Sequence, residues 1–392
     1  MKVLIVIPYF IPATSYGGPV KVSYDMAKGL VSRGHEVVVA TTDAFDERRR
    51  LRKTREEVEN IRILRFRNIS NFLAKRINGY TPLMFIPWLV RHGREFDFIY
   101  CHDFYTLQNI AVNSLRGFHK VPFLIQPHGC LSSLRRKTRF PLIKSVFTRI
   151  FYKILRNSQN IIALTEEEKK TIVALDHSTA SKVVVVPNGL EPDEFSGIEK
   201  TDICSQYKIP KGSKVIGFIG RLSFIKGIDI SLEVLALLKS RCNFSFLIIG
   251  PDEGEMSHLK HLAQKRDIGE RVIFAGILNG IEKLRTIKSC DLFLFTSRDE
   301  GLPMTVLEVA ALGIPQVISR ECNVPELAAY KAGYVHACND IPGFANSVEK
   351  ILSNRDEWQN MSANAQLMIR ERFSLNKMLD SIERLMLQRN II

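Results

Sequence analysis

Residues 291–319, DLFLFTSRDEGLPMTVLEVAALGIPQVIS, decide how this chain is read. The run Leu292 to Phe295 is wholly aliphatic and aromatic, the mark of a parallel strand buried on both faces, and it ends at Thr296 and Ser297. Polarity then changes at once. Arg298, Asp299 and Glu300 sit where a strand hands over to a helix, and Pro303 suits a helix's first turn, where its missing N–H costs nothing. The helix is expected to run to about Leu312, stop at Gly313 and return through Pro315 into the strand Gln316 to Ser319.

Two carboxylates frame that helix. Glu300 lies in the loop at the strand's carboxyl end and Glu308 about two helical turns farther on, so both can face one crevice. Between them the free N–H groups of the helix start are a natural seat for phosphate. The plainer alternative makes Glu300 a first-turn acid favoured by the helix dipole and Glu308 part of a solvated face.

Working outward, the second half repeats strands at Lys214 to Ile219, Phe244 to Ile249 and Val272 to Phe274, separated by amphipathic stretches. The first half alternates in the same way, with strands at Val3 to Ile7, Glu36 to Ala40, Ile61 to Phe66, Phe98 to Tyr100, Pro122 to Ile125, Asn160 to Ala163 and Lys182 to Val186. This is the pattern of doubly wound parallel sheets, an α/β class in which ligands bind beyond the carboxyl ends of the strands. At 392 residues the chain suits two such domains. The breaker cluster VPNGLEPDEF, from Val186 to Phe195, reads as the passage between them, with a linker to about Gly212. Domain limits of 1–190 and 191–371 follow, with 372–392 as a terminal helix.

Loops at the strand ends supply the candidate residues. Gly17 and Gly18 precede a helix after the first strand and let backbone N–H groups approach a ligand, although a plain turn reads equally well. The stretch lacks GxGxxG, which argues against a dinucleotide oxidoreductase. His128 follows the Pro122 to Ile125 strand, and His102 and Asp103 follow Phe98 to Cys101. Thr165 and Glu168 form a capping box at a helix start. In the second half GRLSFIKG places Arg221 and Lys226 where two cations can converge on one anion. Gly250 lies at another sheet edge, and Gly276 with Ile277 offers backbone and an apolar side chain to a flat base.

Composition narrows the function classes. The 45% hydrophobic and 24% charged content is that of a globular protein, and no apolar run is long enough to span a bilayer. Val3 to Ile7, stopped by Pro8, is too short for a signal-peptide core, so a cytoplasmic protein is expected. Seven cysteines without CxxC spacing argue against zinc or a disulfide framework. Of the net charge of +14, residues 1–190 carry 30 Lys+Arg against 15 Asp+Glu, a balance of +15, and residues 191–392 carry 25 against 26, a balance of −1. An anionic partner of the first domain is therefore expected, a membrane surface or nucleic acid. Two basic segments account for the charge: Glu47 to Arg55, read as an exposed loop or helix, and Leu134 to Asn157. The second segment sets Leu142, Ile143, Val146, Phe147, Ile150, Phe151, Ile154 and Leu155 at helical spacing among Lys144, Arg149, Lys153 and Arg156, suited to anionic lipid or to a core helix with a basic rim. No helix-turn-helix, zinc-finger or RNP-like pattern supports nucleic acid.

In order and spacing these motifs resemble the retaining GT-B glycosyltransferases of family 4: GG after the first strand, HG in the first domain, PNG at the junction, GRLSFIKG, then Glu300 to Glu308 as E-x7-E and A-x-x-G-x-P. The resemblance implies two facing Rossmann-like domains, with the nucleotide diphosphate sugar donor on the second, the acceptor on the first and the last helix crossing back. It further implies that Arg221 and Lys226 bind the donor diphosphate, with Gly220 and Gly250 beside them and Ile277 at the base. Glu300 would hold hydroxyls of the transferred sugar and Glu308 those of the ribose, with the backbone of Gly301, Leu302, Met304 and Thr305 facing phosphate. His128 would approach the donor from the first domain, where Gly17 and Gly18 allow closure. The chain has no D-x-D, consistent with a cleft that needs no metal or other cofactor. A glycan acceptor, lipid-linked, is the expected partner; a GT-B nucleotide-sugar epimerase is the alternative enzyme.

Overall fold

The computed structural model describes residues 1–13, 16–46, 48–72, 74, 79–132 and 150–388. Two units emerge, Met1–Gly189 with Leu375–Ile392, and Leu190–Ser374. The first is built on eight strands: β1 (Lys2–Val6), β2 (Glu36–Thr42), β3 (Arg55–Val58), β4 (Ile61–Phe66), β5 (Phe98–His102), β6 (Phe123–Gln126), β7 (Asn160–Ala163) and β8 (Val183–Val185). Their spatial order is β3-β4-β2-β1-β5-β6-β7-β8, and every neighbouring pair is parallel except β3 with β4. The apolar runs read from the sequence become the middle of this sheet, where Val3, Leu4, Ile5 and Val6 have no exposed surface. The order turns back on itself between β1 and β5, which opens a crevice at their carboxyl ends.

Two expectations for this unit change. Glu47 to Arg55 was expected as loop or helix, but Ala44 and Arg50 form an antiparallel bridge and Arg55 opens β3. This edge strand reads Arg-Glu-Glu-Val and alternates between exposed and half-buried, so hydrophobic periodicity has nothing to mark it. The lipid-facing candidates Leu142, Ile143, Lys144, Val146, Phe147 and Arg149 lie outside the described residues. Residues 150–157 are helical, and Phe151, Ile154 and Leu155 are buried in the same core as β1, β5 and β6. That end of the stripe packs against protein.

The last helix, Leu375–Leu387, buries Leu375, Met378, Leu379, Ile382, Leu385 and Met386, the spacing of one helical face. It lies on the helix Gly18–Ser32, where a Cβ at Gly29 would run into Leu379. Arg33 fastens it, reaching Asp380 at 2.7 Å and Glu383 at 2.6 Å.

In the second unit six parallel strands, β9 (Lys214–Ile219), β10 (Phe244–Ile249), β11 (Val272–Gly276), β12 (Leu292–Phe295), β13 (Gln316–Ser319) and β14 (Gly333–His336), lie in the order β11-β10-β9-β12-β13-β14. Counted from β9 this is 3-2-1-4-5-6, the dinucleotide-fold order, with its switch point between β9 and β12. The edge strand β14 was missed, because four residues beginning with Gly carry no periodic signal. The stretch to Gly212, expected as a linker, instead packs onto this unit through buried Phe195, Ile203 and Ile209, and Thr201 N–H donates to Ser289 Oγ at 2.8 Å.

Gly217 in β9 sits opposite Phe293 in β12, and a Cβ there would lie 2.5 Å from the ring's Cζ. Phe295 stacks on that ring at 5.8 Å and blocks its retreat. Gly217→Ala is expected to destabilise the second unit by about 1–3 kcal/mol through overpacking, read as a lower melting temperature in calorimetry.

Candidate active site

The switch point of the second sheet brings two loops side by side. Glycine is required at its edge: a Cβ on Gly250 would overlap the Gly220 carbonyl, where Gly220 N–H donates to Ile249 O at 2.9 Å and Gly250 N–H to Gly276 O at 2.8 Å. The loop after β9 makes a short turn at Phe224–Lys226, closed by Gly227 with φ 63°. Lys226 Nζ forms an ion pair with Glu300 of the loop after β12, and Ser297 Oγ donates to the same carboxylate oxygen at 3.0 Å. Glu300 is itself fixed at the backbone. Its N–H donates to Glu321 O at 3.1 Å and its carbonyl accepts from Asn323 Nδ2 at 2.6 Å.

Arg298, which the sequence marked only as a polar hand-over, ties the loops together. Its guanidinium grips both oxygens of Asp229 at 2.8 and 2.6 Å, donates to Phe224 O at 2.7 Å and lies 4.1 Å over the Phe224 ring. Its backbone N–H donates to Ile225 O at 2.7 Å. Beside Asp229 the guanidinium is held more firmly protonated than usual.

Arg221 and Lys226 were expected to converge on one anion. Each instead has its own carboxylate, Arg221 Nη1 lying 2.7 and 2.8 Å from the two oxygens of Glu253. The pairs differ in burial: the side chains of Lys226 and Glu300 are 14% and 8% exposed, those of Arg221 and Glu253 52% and 33%. Exposed pairs contribute little and exchange partners readily, whereas a buried pair leaves a costly orphan when broken.

The helix Met304–Ala311 begins one residue later than expected, with Pro303 as N-cap. The N–H groups of Met304 and Thr305 have no partner among the described residues, as the first turn of a helix leaves them. Gly301, Leu302 and Met304 are buried around it. Glu308 does not lie on a solvated face: it is buried, and Lys283 Nζ meets its carboxylate at 2.8 Å. Lys283 was missed, since one of the two lysines on the helix Gly280–Ser289 carries no sequence mark. Ile277, just past β11, exposes its side chain. A cavity of 210 Å³ lined by Phe195, Lys288, Gln366 and Arg370 lies at the other end of the Met304–Ala311 helix.

In the first unit Gly17 caps the helix Gly18–Ser32 with φ 84°, as a strand-end loop demands. His128 also adopts a left-handed backbone, φ 55°, beyond the end of β6, and its ring meets that of His102 at the end of β5. His102 Nδ1 and His128 Nε2 are 2.8 Å apart and the rings are within 12° of parallel. Glu168 acts as more than a capping residue, accepting Leu164 N–H at 2.7 Å and Gly129 N–H at 2.6 Å. Asp103, φ 64°, accepts from Tyr9 OH at 3.3 Å, and Tyr9 stacks on Tyr16 at 4.5 Å. Among the described residues no group of three His, Cys, Asp or Glu could hold a metal, all seven cysteines are free, and no helix is long and apolar enough to cross a membrane.

Burial holds His102 well below the ordinary imidazole value and His128 down at about 4. Both are neutral near pH 7. Between pH 6.5 and about 4 the unfolded histidines bind protons that the folded ones refuse, so stability rises with pH in that window. Acidification from pH 7 to 5 is expected to lower the stability of the first unit, and His102→Asn is expected to flatten that slope in urea titrations. At the other site, Arg298→Lys keeps the charge and loses the bidentate grip and the ring contact, an expected loss of about 1–3 kcal/mol in the second unit.

Known proteins resemble this chain along nearly its whole length. Residues 16–194 match the model of Glycosyltransferase Family 4 and residues 199–368 that of Glycosyl transferases group 1. An uncharacterized glycosyltransferase of Methanocaldococcus jannaschii is 24% identical over 363 residues, 89% of this chain and 88% of that protein. The fold matches Anabaena HepE in complex with UDP, with a TM-score of 0.75 at 20% identity, over 98% of this chain and 99% of that one. WaaG, a glycosyltransferase involved in lipopolysaccharide biosynthesis, matches with a TM-score of 0.70 at 15% identity, over 98% and 99%. With the two models joined along nearly its whole length on two parallel-sheet Rossmann-like units, the chain belongs to the group 1 glycosyltransferases of GT-B fold.

Proposed function

We propose that the protein transfers a sugar from a nucleotide diphosphate sugar to a glycan acceptor with retention of anomeric configuration and without a metal ion. The observation that carries this reading is the Lys226–Glu300 pair at the switch point of the second sheet, together with Arg221 and with the N–H groups of Met304 and Thr305, which have no partner among the described residues. An ammonium has three donors, so Lys226 can keep Glu300 and still meet a phosphate oxygen. Arg221 exchanges Glu253 for the diphosphate. These cations and the helix start then stabilise the charge that grows on the leaving diphosphate, the role a metal ion fills elsewhere.

The acceptor hydroxyl attacks the anomeric carbon on the face that the diphosphate leaves. A new carbon–oxygen bond forms as the old one breaks; the electron pair passes to the phosphate oxygen, which takes the acceptor's proton. Glu300, already accepting from Lys226 and Ser297, orients sugar hydroxyls, and Glu308 with Lys283 orients those of the ribose. His128 supplies a ligand contact on the first unit. HepE was crystallised with UDP, so a uridine diphosphate sugar is the first donor to test.

The acceptor in this reading is lipid-linked and is met by a cytoplasmic enzyme lying on the membrane's inner face. The charge balance of +15 in residues 1–190 supports it. So do exposed Leu83, Met84, Val90 and Phe118 beside exposed Arg91, Arg94 and Arg116.

Lys226→Ala and Arg221→Ala are expected to lower kcat about 100-fold each, in line with the loss of one donor to developing charge. Glu253→Gln frees Arg221 and is expected to tighten nucleotide diphosphate binding about two- to fivefold by calorimetry, the worth of an exposed pair. Retained sugar configuration in the product and full activity in EDTA are expected. An epimerised nucleotide sugar formed without acceptor, or activity that EDTA abolishes, would overturn the reading. Anionic vesicles at low salt are expected to bind the protein; failure to bind them, with transfer only to soluble glycans, removes the lipid part alone.

A further inference from the structure

The sheet edge beside His128 holds a second imidazole, that of His102 at the end of β5, which no catalytic step uses. His102 has no exposed surface. Its backbone is pinned by Asn109, whose Nδ2 donates to His102 O at 3.3 Å and to Asp103 O at 3.0 Å. The strand register pairs His102 with Gln126, so the turn through Pro127 must reverse for His128 to reach back to it. The left-handed backbones of His128 and Gly129, φ 55° and 73°, make that reversal, and Glu168 holds it through Gly129 N–H. A strained non-glycine residue kept at a ligand-binding edge is the mark of a ring that has to be aimed.

Two neutral imidazoles 2.8 Å apart share one proton, and there are two ways to place it. If His128 Nε2–H donates, His102 Nδ1 accepts and His102 must carry its own proton on Nε2. That nitrogen is buried with no partner among the described residues, so an N–H would be orphaned there. If His102 Nδ1–H donates, the buried Nε2 bears only a lone pair, and His128 carries its proton on Nδ1. Orphaned buried N–H groups are rarer than unsatisfied acceptors, which favours the second arrangement.

We propose that His102 is the positioning residue that sets the tautomer of His128: it donates Nδ1–H to His128 Nε2, so that His128 presents Nδ1–H, a fixed hydrogen-bond donor, to an acceptor oxygen of the ligand bound at this sheet edge. The proposal rests on the reading of His128 as a ligand contact. It goes further by excluding His128 as a general base, because the nitrogen with a free lone pair is turned inward and occupied. The partner atom on the ligand is an acceptor, a hydroxyl or phosphate oxygen, and not a hydroxyl that must lose its proton.

Nitrogen-15 NMR of the histidine-labelled full chain tests the tautomer directly. A proton on Nδ1 of His128 and none on Nε2 is expected; a proton on Nε2 overturns the proposal. Variants at His102 separate aiming from packing. The amide nitrogen of His102→Asn falls where Nδ1 was, so this variant is expected to keep kcat/KM within about threefold and to keep the His128 signal. His102→Leu removes the donor and is expected to lose about tenfold or more in kcat/KM, with His128 now a mixture of tautomers. Equal losses in the two variants with an unchanged His128 spectrum would mean that His102 only packs. If the Leu variant does not fold, the wild-type spectrum and the Asn variant decide. His128→Ala with undiminished nucleotide-sugar affinity would remove the ligand contact while the NMR result still stands on its own.

Discussion

The loops after β9 and β12 run closer together than any side chain at Gly227 would permit. A Cβ there would collide with the Thr296 carbonyl, and the two loops bond across the gap, Thr296 Oγ1 donating to Gly227 O at 2.6 Å while Ser231 Oγ lies 2.7 Å from Thr296 Oγ1. This approach is what lets an ammonium from one loop meet a carboxylate from the other. Arg298 completes the seam from the outside. A site assembled on such a seam is held by the sheet that forms it, and geometry of this kind is what a charge-stabilising site needs before the substrate arrives.

Charge around the seam is balanced locally. Lys226 with Glu300, Arg298 with Asp229, Lys283 with Glu308 and Arg221 with Glu253 leave none of these side chains unmatched. Their different burial assigns them different roles. The more buried pairs are costly to break and hold their side chains in place, so Lys226 can meet a phosphate without leaving Glu300. The exposed Arg221–Glu253 pair is the one a diphosphate can displace, since water already screens it.

Much of this was legible in the sequence because the strands buried on both faces announce themselves as apolar runs and the residues at their carboxyl ends can be counted off. The Leu292 to Phe295 strand, the helix after it and the loops that bear Arg221, Lys226 and Glu300 follow from that pattern. What could not be read lies where burial gives no pattern or where partners are distant in sequence. Strand β3 is charged and at an edge, β14 is short, and Phe195, Ile203 and Ile209 look like linker residues until the sheet they cover is present. Lys283 becomes meaningful only when its helix lies against Glu308. The second histidine, 26 positions before His128, has no local signal either, because parallel strands join residues across a whole crossover.

Glu300 and Glu308 look at first like the two carboxylates of an acid–base pair, and their surroundings argue otherwise. A carboxylate is an acceptor when ionised, and here each is ionically paired with a lysine; Glu300 also receives the Ser297 hydroxyl. The lone pairs that face these partners are already engaged by them. A general base needs the reverse, a carboxylate free to take a proton near neutral pH. With both glutamates committed to lysines, and both histidines bonded to each other and made weaker bases by burial, none of these four side chains is poised to move the acceptor's proton. In the proposed reaction the departing phosphate takes that proton, with Lys226 and Arg221 as its counter-charges, so the same-face course asks none of these four side chains to act as a base.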